Sequence, residues 1–148
     1  MPITSVTQAR DDIISLFKTY WDANTAAITG TVPQVVYGGL EEVSEPPSDL
    51  PWVRVSVIHG TGGQASFGDT GGRHFDRNGI VTIQLFVPLK DNGMVTMDQL
   101  IQVALDSIEG KCTSNGVWFR NVRINEQGPD RAWFNVNVLA DFEYYTVK

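Results

Sequence analysis

The sequence predicts an α+β domain in which two helices pack on one face of a mainly antiparallel β-sheet that carries a long hairpin loop. Two segments place apolar residues at the spacing of an amphipathic helix, and most of the remaining apolar segments alternate with polar residues as half-buried strands do. A length of 148 residues with 42% hydrophobic residues is typical of one globular domain. Because neither an internal repeat nor a linker divides the chain, we expect a single domain over residues 1–148.

The two predicted helices cover about residues 7–24 and 96–109. In the second helix, Thr96 is the expected N-cap and Gly110 the expected C-cap. Each helix carries one apolar stripe, which at this spacing indicates a side that faces the core. The stripes are Ile13, Leu16, Phe17, Tyr20 and Trp21 in the first helix, and Leu100, Ile101, Ala104, Leu105 and Ile108 in the second.

The predicted strands complete the order α-β-β-β-α-β-β. They cover residues 34–37, 52–58, 80–87, 117–124 and 132–147, and a turn at residues 126–131 joins the last two. Alternation such as that of Val53, Val55 and Val57 with polar neighbours indicates a sheet with one face on the core and one face in water.

A glycine-rich stretch, residues 60–72 (GTGGQASFGDTGG), separates two of these strands. It is longer than the roughly two to five residues that connect most hairpins, and glycine has the largest entropy cost on ordering. Long loops in compact domains are usually functional or disordered. We therefore expect a flexible hairpin tip that becomes ordered against another protein subunit, with Gly62, Gly63, Phe67 and Gly71 at the contact.

A second loop, residues 38–51, contains Pro46 and Pro47 within an acidic segment. Adjacent prolines favour an extended and exposed conformation. Two interpretations are equally favoured. The loop is a surface connection, or it is a protruding arm that docks on a neighbouring subunit, since a stiff segment loses little entropy on docking.

Arginines gather in the β region and its loops, whereas most acidic residues lie elsewhere in the sequence. This favours complementary charged faces in a head-to-tail assembly; the alternative is that arginines keep an exposed sheet soluble and guard its edges. A net charge of −6 disfavours a free-standing nucleic-acid binder. The charge is compatible with DNA that passes through an acidic lumen, but simple solubility is the favoured explanation of it. The arginines are Arg54, Arg73, Arg77, Arg120, Arg123 and Arg131.

The glycine-rich stretch also satisfies a degenerate dinucleotide-binding pattern, with Gly60, Gly62 and Ala65 in the three pattern positions. A dinucleotide site needs a helix to begin there, but three further glycines and a strand follow, and no P-loop pattern is present. Nucleotide binding is therefore disfavoured.

Two histidines and one cysteine are the other candidates for chemistry. His59 and His74 flank the glycine-rich stretch, where Asp69 or Asp76 could complete a metal site, but histidines at strand ends explain the pattern better. Cys112 is the single cysteine, so an internal disulfide is excluded. We expect no catalytic residues, no cofactor and no metal, hence no enzyme, and neither a secretory signal nor a membrane-spanning segment.

Two runs of the sequence resemble a known family. WVRVSVIHGTGGQASFGDTGGRHFDRNGIVTIQLFVPL, followed by a helix and then by VWFRNVRINEQGPDRAWFNVNVLADFEY, is similar to the tail-terminator-like (tail-completion) proteins of long-tailed bacteriophages and prophages. The resemblance covers about residues 7–147. It implies a non-enzymatic virion protein whose hexameric ring caps the tail tube, stops tube polymerisation and provides the surface on which the head docks.

The resemblance also implies the partners: other copies of the chain, the major tail tube protein and a head-completion or connector protein, with DNA passing through the lumen unbound and no membrane involved. The alternatives are a head-completion or tail-tube component and, less favoured, a small nucleotide- or metal-binding enzyme that uses residues 60–72. The family supplies no site residues, so the expected interface comes from the sequence itself. It comprises Gly62, Gly63, Phe67, Gly71, Arg73, Arg77, Pro46, Pro47, Arg120 and Arg123.

Overall fold

The described part of the chain forms one five-stranded sheet with two long helices on one face. A computed structural model describes residues 3–37, 50–89, 93–130 and 132–148. The elements are α1 (Val6–Asn24), α2 (Ala26–Thr29), β1 (Gln34–Tyr37), β2 (Trp52–Gln64), β3 (His74–Pro88), α3 (Gly93–Ile108), β4 (Trp118–Asp130) and β5 (Trp133–Val147). The strand order is β1-β2-β3-β5-β4, and only the β1–β2 pair is parallel. The predicted α+β class is confirmed.

Helix α1 begins one residue before its predicted start. The Ser5 side chain caps it by accepting a hydrogen bond from the Gln8 backbone N–H at 3.1 Å. Leu16 and Tyr20, two members of the predicted stripe, are only half-buried. The fully buried residues follow a strict four-residue spacing: Ala9, Ile13, Phe17 and Trp21.

Helix α3 begins three residues before its predicted start, so Thr96 lies inside the helix and is not its N-cap. Gly93 is buried at this start, and a Cβ there would lie 3.0 Å from the Pro88 carbonyl oxygen and 3.1 Å from the Phe134 ring. A side chain at this position would therefore require its neighbours to shift by a few tenths of an ångström where the helix meets the sheet, and glycine avoids that shift. The helix ends as predicted, with Gly110 at a left-handed φ of +70°.

The two faces of the sheet differ in what covers them. One face shares a single apolar cluster with α1 and α3, and the short α2 contacts both of these helices. We call the other side the open face, because none of the described helices packs on it. The core face carries Val53, Val55, Val57, Val81, Ile83, Leu85, Val87, Val136, Val138, Ala140, Phe142 and Tyr144. The open face carries Arg54, Ser56, Ile58, Ile80, Thr82, Gln84, Asn137 and Asp141, in keeping with the predicted alternation.

The hairpin between β2 and β3 is longer, and its loop shorter, than predicted. After a register shift between His59 and Gly62, pairing resumes and continues to Gln64 opposite Phe75. Residues 60–64 are therefore strand and not loop. The strand could not be recognised in the sequence because glycines interrupt the alternation of apolar and polar side chains. Strand pairing itself needs only backbone N–H and C=O groups.

Strand β4 continues to Asp130, so the turn predicted at residues 126–131 is wrong over the part of it that the structure describes. Two register shifts interrupt its pairing with β5, one between Arg120 and Arg123 and one between Glu126 and Gly128. Pro129 fits because β4 is an edge strand, where a missing N–H costs no ladder bond. Arg131 lies outside the described residues.

Candidate subunit interface

The most exposed part of the fold is the hairpin of residues 59–79, here called the hairpin arm. Every residue from 60 to 72 is exposed apart from the half-buried Ser66. The end of β5 forms a third strand beside the arm, with Thr146 opposite Phe75 and Val147 opposite His74. The arm therefore has a full set of neighbours on one side and is a structured element.

The tip of the arm, residues 65–73, is held by hydrogen bonds of its own. The Ala65 N–H donates to the His74 carbonyl at 2.8 Å, and the His74 N–H donates to the Ser66 hydroxyl at 2.9 Å. Gly71 has a φ of +94°, a conformation that favours glycine. Phe67 contacts almost nothing, since 98% of its surface is exposed. The tip thus presents one aromatic side chain to the surroundings.

Two neighbouring glycines of the arm have different roles. A Cβ on Gly62 would overlap the Asp76 backbone oxygen on the paired strand and would lie 3.2 Å from the Arg77 guanidinium. A Cβ on Gly63 would meet nothing within 4 Å. Of these two glycines, only Gly62 is required by the close approach of the paired strands.

The base of the arm contains three basic side chains around a tyrosine on the core side of the sheet, here called the basic niche: Arg10, His59 and Arg77, with Tyr144. His59 Nε2 and Tyr144 Oη lie 2.7 Å apart, within hydrogen-bond distance. Burial lowers the pKa of His59, and the positive charges of Arg10 and Arg77 act in the same direction. Burial raises the pKa of Tyr144. Within residues that the structure describes, neither arginine forms an ion pair with a carboxylate.

The two histidines do not face each other. The register places His59 on the core side, where its ring packs edge-on against Phe142 at 5.2 Å. His74 lies on the other side of the sheet and stacks on Tyr145 at 4.8 Å. No group of three or more potential metal-ligating side chains occurs in the described ranges of the chain. Nor does a helix follow residues 60–65, because β2 pairs there with β3.

The arginines of β4 are paired with acids of β5. Arg120 lies 2.6 Å from Glu143, and Arg123 lies 3.3 Å from Asp141. Asn121, with a left-handed φ of 52° in the register shift, donates a second hydrogen bond to Asp141. That bond, reinforced by Arg123, lowers the pKa of Asp141. Arginines and acids that are far apart in the sequence are therefore neighbours in the structure at these two positions.

The structure brings part of the predicted interface together. Gly62, Gly63, Phe67, Gly71, Arg73 and Arg77 all lie on the arm. Arg120 and Arg123 lie on β4, and a depression of about 420 Å³ joins Arg120 to the base of the arm at Gly60 and Asn78. Pro46 and Pro47 lie outside the described residues.

Sequence reasoning favoured the core over a ligand groove for the whole apolar stripe of α1, but two residues of that stripe line an apolar groove between α1 and residues 111–114, here called the α1 groove. It has a volume of about 540 Å³ and is lined by Leu16, Tyr20 and Ala23, with Lys111 and Cys112 opposite. The Lys111 ammonium lies 4.0 Å from the centre of the Tyr20 ring. The available signal was the position of Leu16 and Tyr20 at one edge of the helix stripe, where a helix only half-buries its apolar residues.

No helix in the described residues is long and apolar enough to cross a membrane.

Comparisons with known proteins reveal similarity in structure but not in sequence. No protein-family model and no curated protein sequence matches the chain. One solved protein chain, which carries no functional name, aligns with a TM-score of 0.62 and 16% identity over 94% of this chain and 97% of its own. A chain from the virion of a native gene transfer agent (GTA) particle aligns with a TM-score of 0.51 and 15% identity over 93% and 94%. At these identities the likeness concerns the fold alone.

Proposed function

We propose that this chain is a structural protein of a phage-like virion, and that it acts as a tail terminator: a ring of six copies that caps the tail tube, ends its polymerisation and receives the head. The observation that carries the virion role is the alignment with a GTA virion chain over nearly the whole length of both molecules. The finer role of tail terminator comes from the resemblance of residues 7–147 to tail-terminator-like proteins, to which no family model or curated sequence adds support.

The hairpin arm supports an assembly role. An extended hairpin with an exposed aromatic at its tip contributes little to the core of its own subunit, because its apolar residue remains in water. An aromatic ring at the end of a structured projection lies too far from the core of its own subunit to be buried there, so contact with another protein is the way to remove it from water. In a ring, each subunit uses one surface to contact a different surface on the next, so an arm on one side is a suitable connection.

The charge of the chain is compatible with a ring around DNA. A net charge of −6 per subunit gives an assembly of six copies an acidic character, and phosphate is repelled by an acidic lumen. The ion pairs of Arg120 and Arg123 with acids of their own subunit reduce the positive charge available to hold DNA.

The proposal is tested by deleting the gene for this chain from a genome that produces such particles and examining the particles by electron microscopy. A tail terminator's absence gives tails of irregular, excessive length without heads, and supplying the wild-type chain restores both length and attachment. Normal tails without heads would instead favour a head-completion protein, and particles lacking tubes would favour a tube component. Normal-length tails with attached heads would contradict all three roles.

A further inference from the structure

Two features of the subunit are apolar and exposed, a projection and a groove. The projection is Phe67, which is 98% exposed at the tip of the hairpin arm. The groove is the α1 groove, whose apolar wall is formed by Leu16, Tyr20 and Ala23. Because Phe67 is almost fully exposed, its own subunit does not receive it. Its ring is available to a second molecule.

The charges around the two features also match. The tip carries Asp69 and Arg73, one acid and one base, on the two sides of its turn. The groove lining likewise includes one of each sign, Asp12 and Lys111. The Asp12 carboxylate accepts hydrogen bonds from the neutral Asn115 amide, which leaves its charge unpaired by a cation among the described residues. Each charge of the tip thus has a charge of opposite sign at the groove, so electrostatic complementarity favours one orientation of the tip over the reverse.

We propose that Phe67 of one subunit inserts into the α1 groove of a second copy of this chain, with Arg73 near Asp12 and Asp69 near Lys111 of that copy. The contact joins two different surfaces, so it is heterologous and repeats from subunit to subunit until the ring closes. This inference rests on the proposed ring and specifies the contact that builds it. Phe67 is the aromatic anchor of this contact, and buried aromatic anchors contribute much of the binding energy of protein interfaces.

Substitutions on either side of the contact have a defined effect. Phe67→Ala removes the anchor and weakens subunit association by roughly 25-fold or more, the loss typical of a buried aromatic hot spot. Phe67→Leu retains an apolar side chain and preserves most of the association. Ala23→Phe fills the groove from its wall and weakens association although it leaves the arm unchanged. Thr61→Ala, on the exposed part of the arm, is the matched control and has no effect.

The position of Cys112 allows a direct test, because the only cysteine of the chain lines the groove and is exposed. Ala65→Cys places the thiol at the exposed start of the tip and retains the Phe67 anchor. This variant is treated with a short bis-maleimide, and the products are separated by denaturing electrophoresis and mapped by mass spectrometry. The expected result is a ladder of covalent oligomers linked between positions 65 and 112. Two controls accompany it: Ala65→Cys combined with Cys112→Ser, and Ile58→Cys on the open face, where the residue is 66% exposed. Neither control forms the ladder.

The outcomes separate this inference from the proposed function. If light scattering detects a closed oligomer but no link between positions 65 and 112 forms, the docking contact is wrong and the ring stands. If the link forms within one chain, so that only a monomer band carries it, the docking contact is also wrong. If neither oligomer nor link is detected at any concentration, both proposals are overturned.

Discussion

At the residue scale, His59 is the side chain whose charge state the fold controls most clearly. Its ring is half-buried between Phe142 and Tyr144, and two arginines from different elements, Arg10 of α1 and Arg77 of β3, act on it. All three influences favour the neutral imidazole. The base of the hairpin arm is therefore built around an uncharged histidine.

We predict that the stability of the folded subunit falls as the pH is lowered through the region below about 6.5. The folded pKa of His59 is lowered, so the unfolded chain binds a proton first and is favoured as the pH falls towards the folded pKa. Urea unfolding at a series of pH values measures this. His59→Gln removes this part of the pH dependence, while His74→Gln retains it. An unchanged profile in His59→Gln would show that His59 is not its source.

Gly79 and Gly63 give a second prediction at this scale. A Cβ on Gly79 would overlap the Ile58 carbonyl oxygen and the Phe142 ring, whereas one on Gly63 meets nothing. We expect Gly79→Ala to lower the free energy of unfolding by about 1–3 kcal/mol, as overpacking does, and Gly63→Ala to change it by less than about 0.5 kcal/mol. The measurement is the midpoint of urea unfolding, compared between variants whose unfolding free energies have the same dependence on urea concentration. Equal effects of the two substitutions would contradict the close approach at Gly79.

Individual site residues could be predicted from the sequence only where residue type limits the possibilities. Glycines and the lone Phe67 in a polar loop indicated an unusual segment. The pairing of Arg120 with Glu143 could not be predicted, because it depends on the register of β4 against β5 and that register shifts twice. The proximity of Arg10 and Arg77 to His59 could not be predicted either, because the three residues belong to three separate elements.

At the element scale, the arm consists of a paired stem and a tip, and the two have different roles. The stem, up to Gln64 opposite Phe75, belongs to the sheet. The tip beyond it contacts the rest of the subunit chiefly through the two backbone hydrogen bonds between Arg73 and Lys148. Its removal should therefore affect assembly more than folding.

We predict that replacing residues 66–73 by Asn-Gly leaves a folded subunit that assembles poorly. Asn-Gly closes a two-residue hairpin between Ala65 and His74, which already pair through a backbone hydrogen bond. The melting temperature should fall by no more than roughly 4 °C, since few contacts are lost. Thermal unfolding and light scattering measure the two effects. A variant that unfolds, or that assembles as the wild type does, would contradict this division.

Most elements could be predicted because the helices and strands have regular apolar periods. The helix stripe of α1 and the alternation of β5 are examples, and both matched within one or two residues. The extension of β2 to Gln64 could not be predicted, because its glycines carry no pattern. The extension of β4 was missed because Gly128 and Pro129 usually indicate a turn, and the sequence does not reveal that β4 is an edge strand.

At the scale of the whole molecule, the subunit has one covered face, one open face and one projecting arm. The predicted interface residues that the structure describes lie on the arm and on β4, whereas the proposed acceptor groove lies on the helix side. Surfaces at different places on the subunit produce rings or open filaments, depending on whether the rotation between neighbours closes. Closure is thus the property that separates a cap from a tube protein.

The mass of the assembled protein tests the central claim most directly. Light scattering coupled to size-exclusion chromatography, over a wide range of protein concentrations, should detect one closed species of six times 16.4 kDa, about 98 kDa. The species should keep this mass as the concentration rises. A monomer at every concentration, or a polydisperse polymer that grows with concentration, would contradict the account.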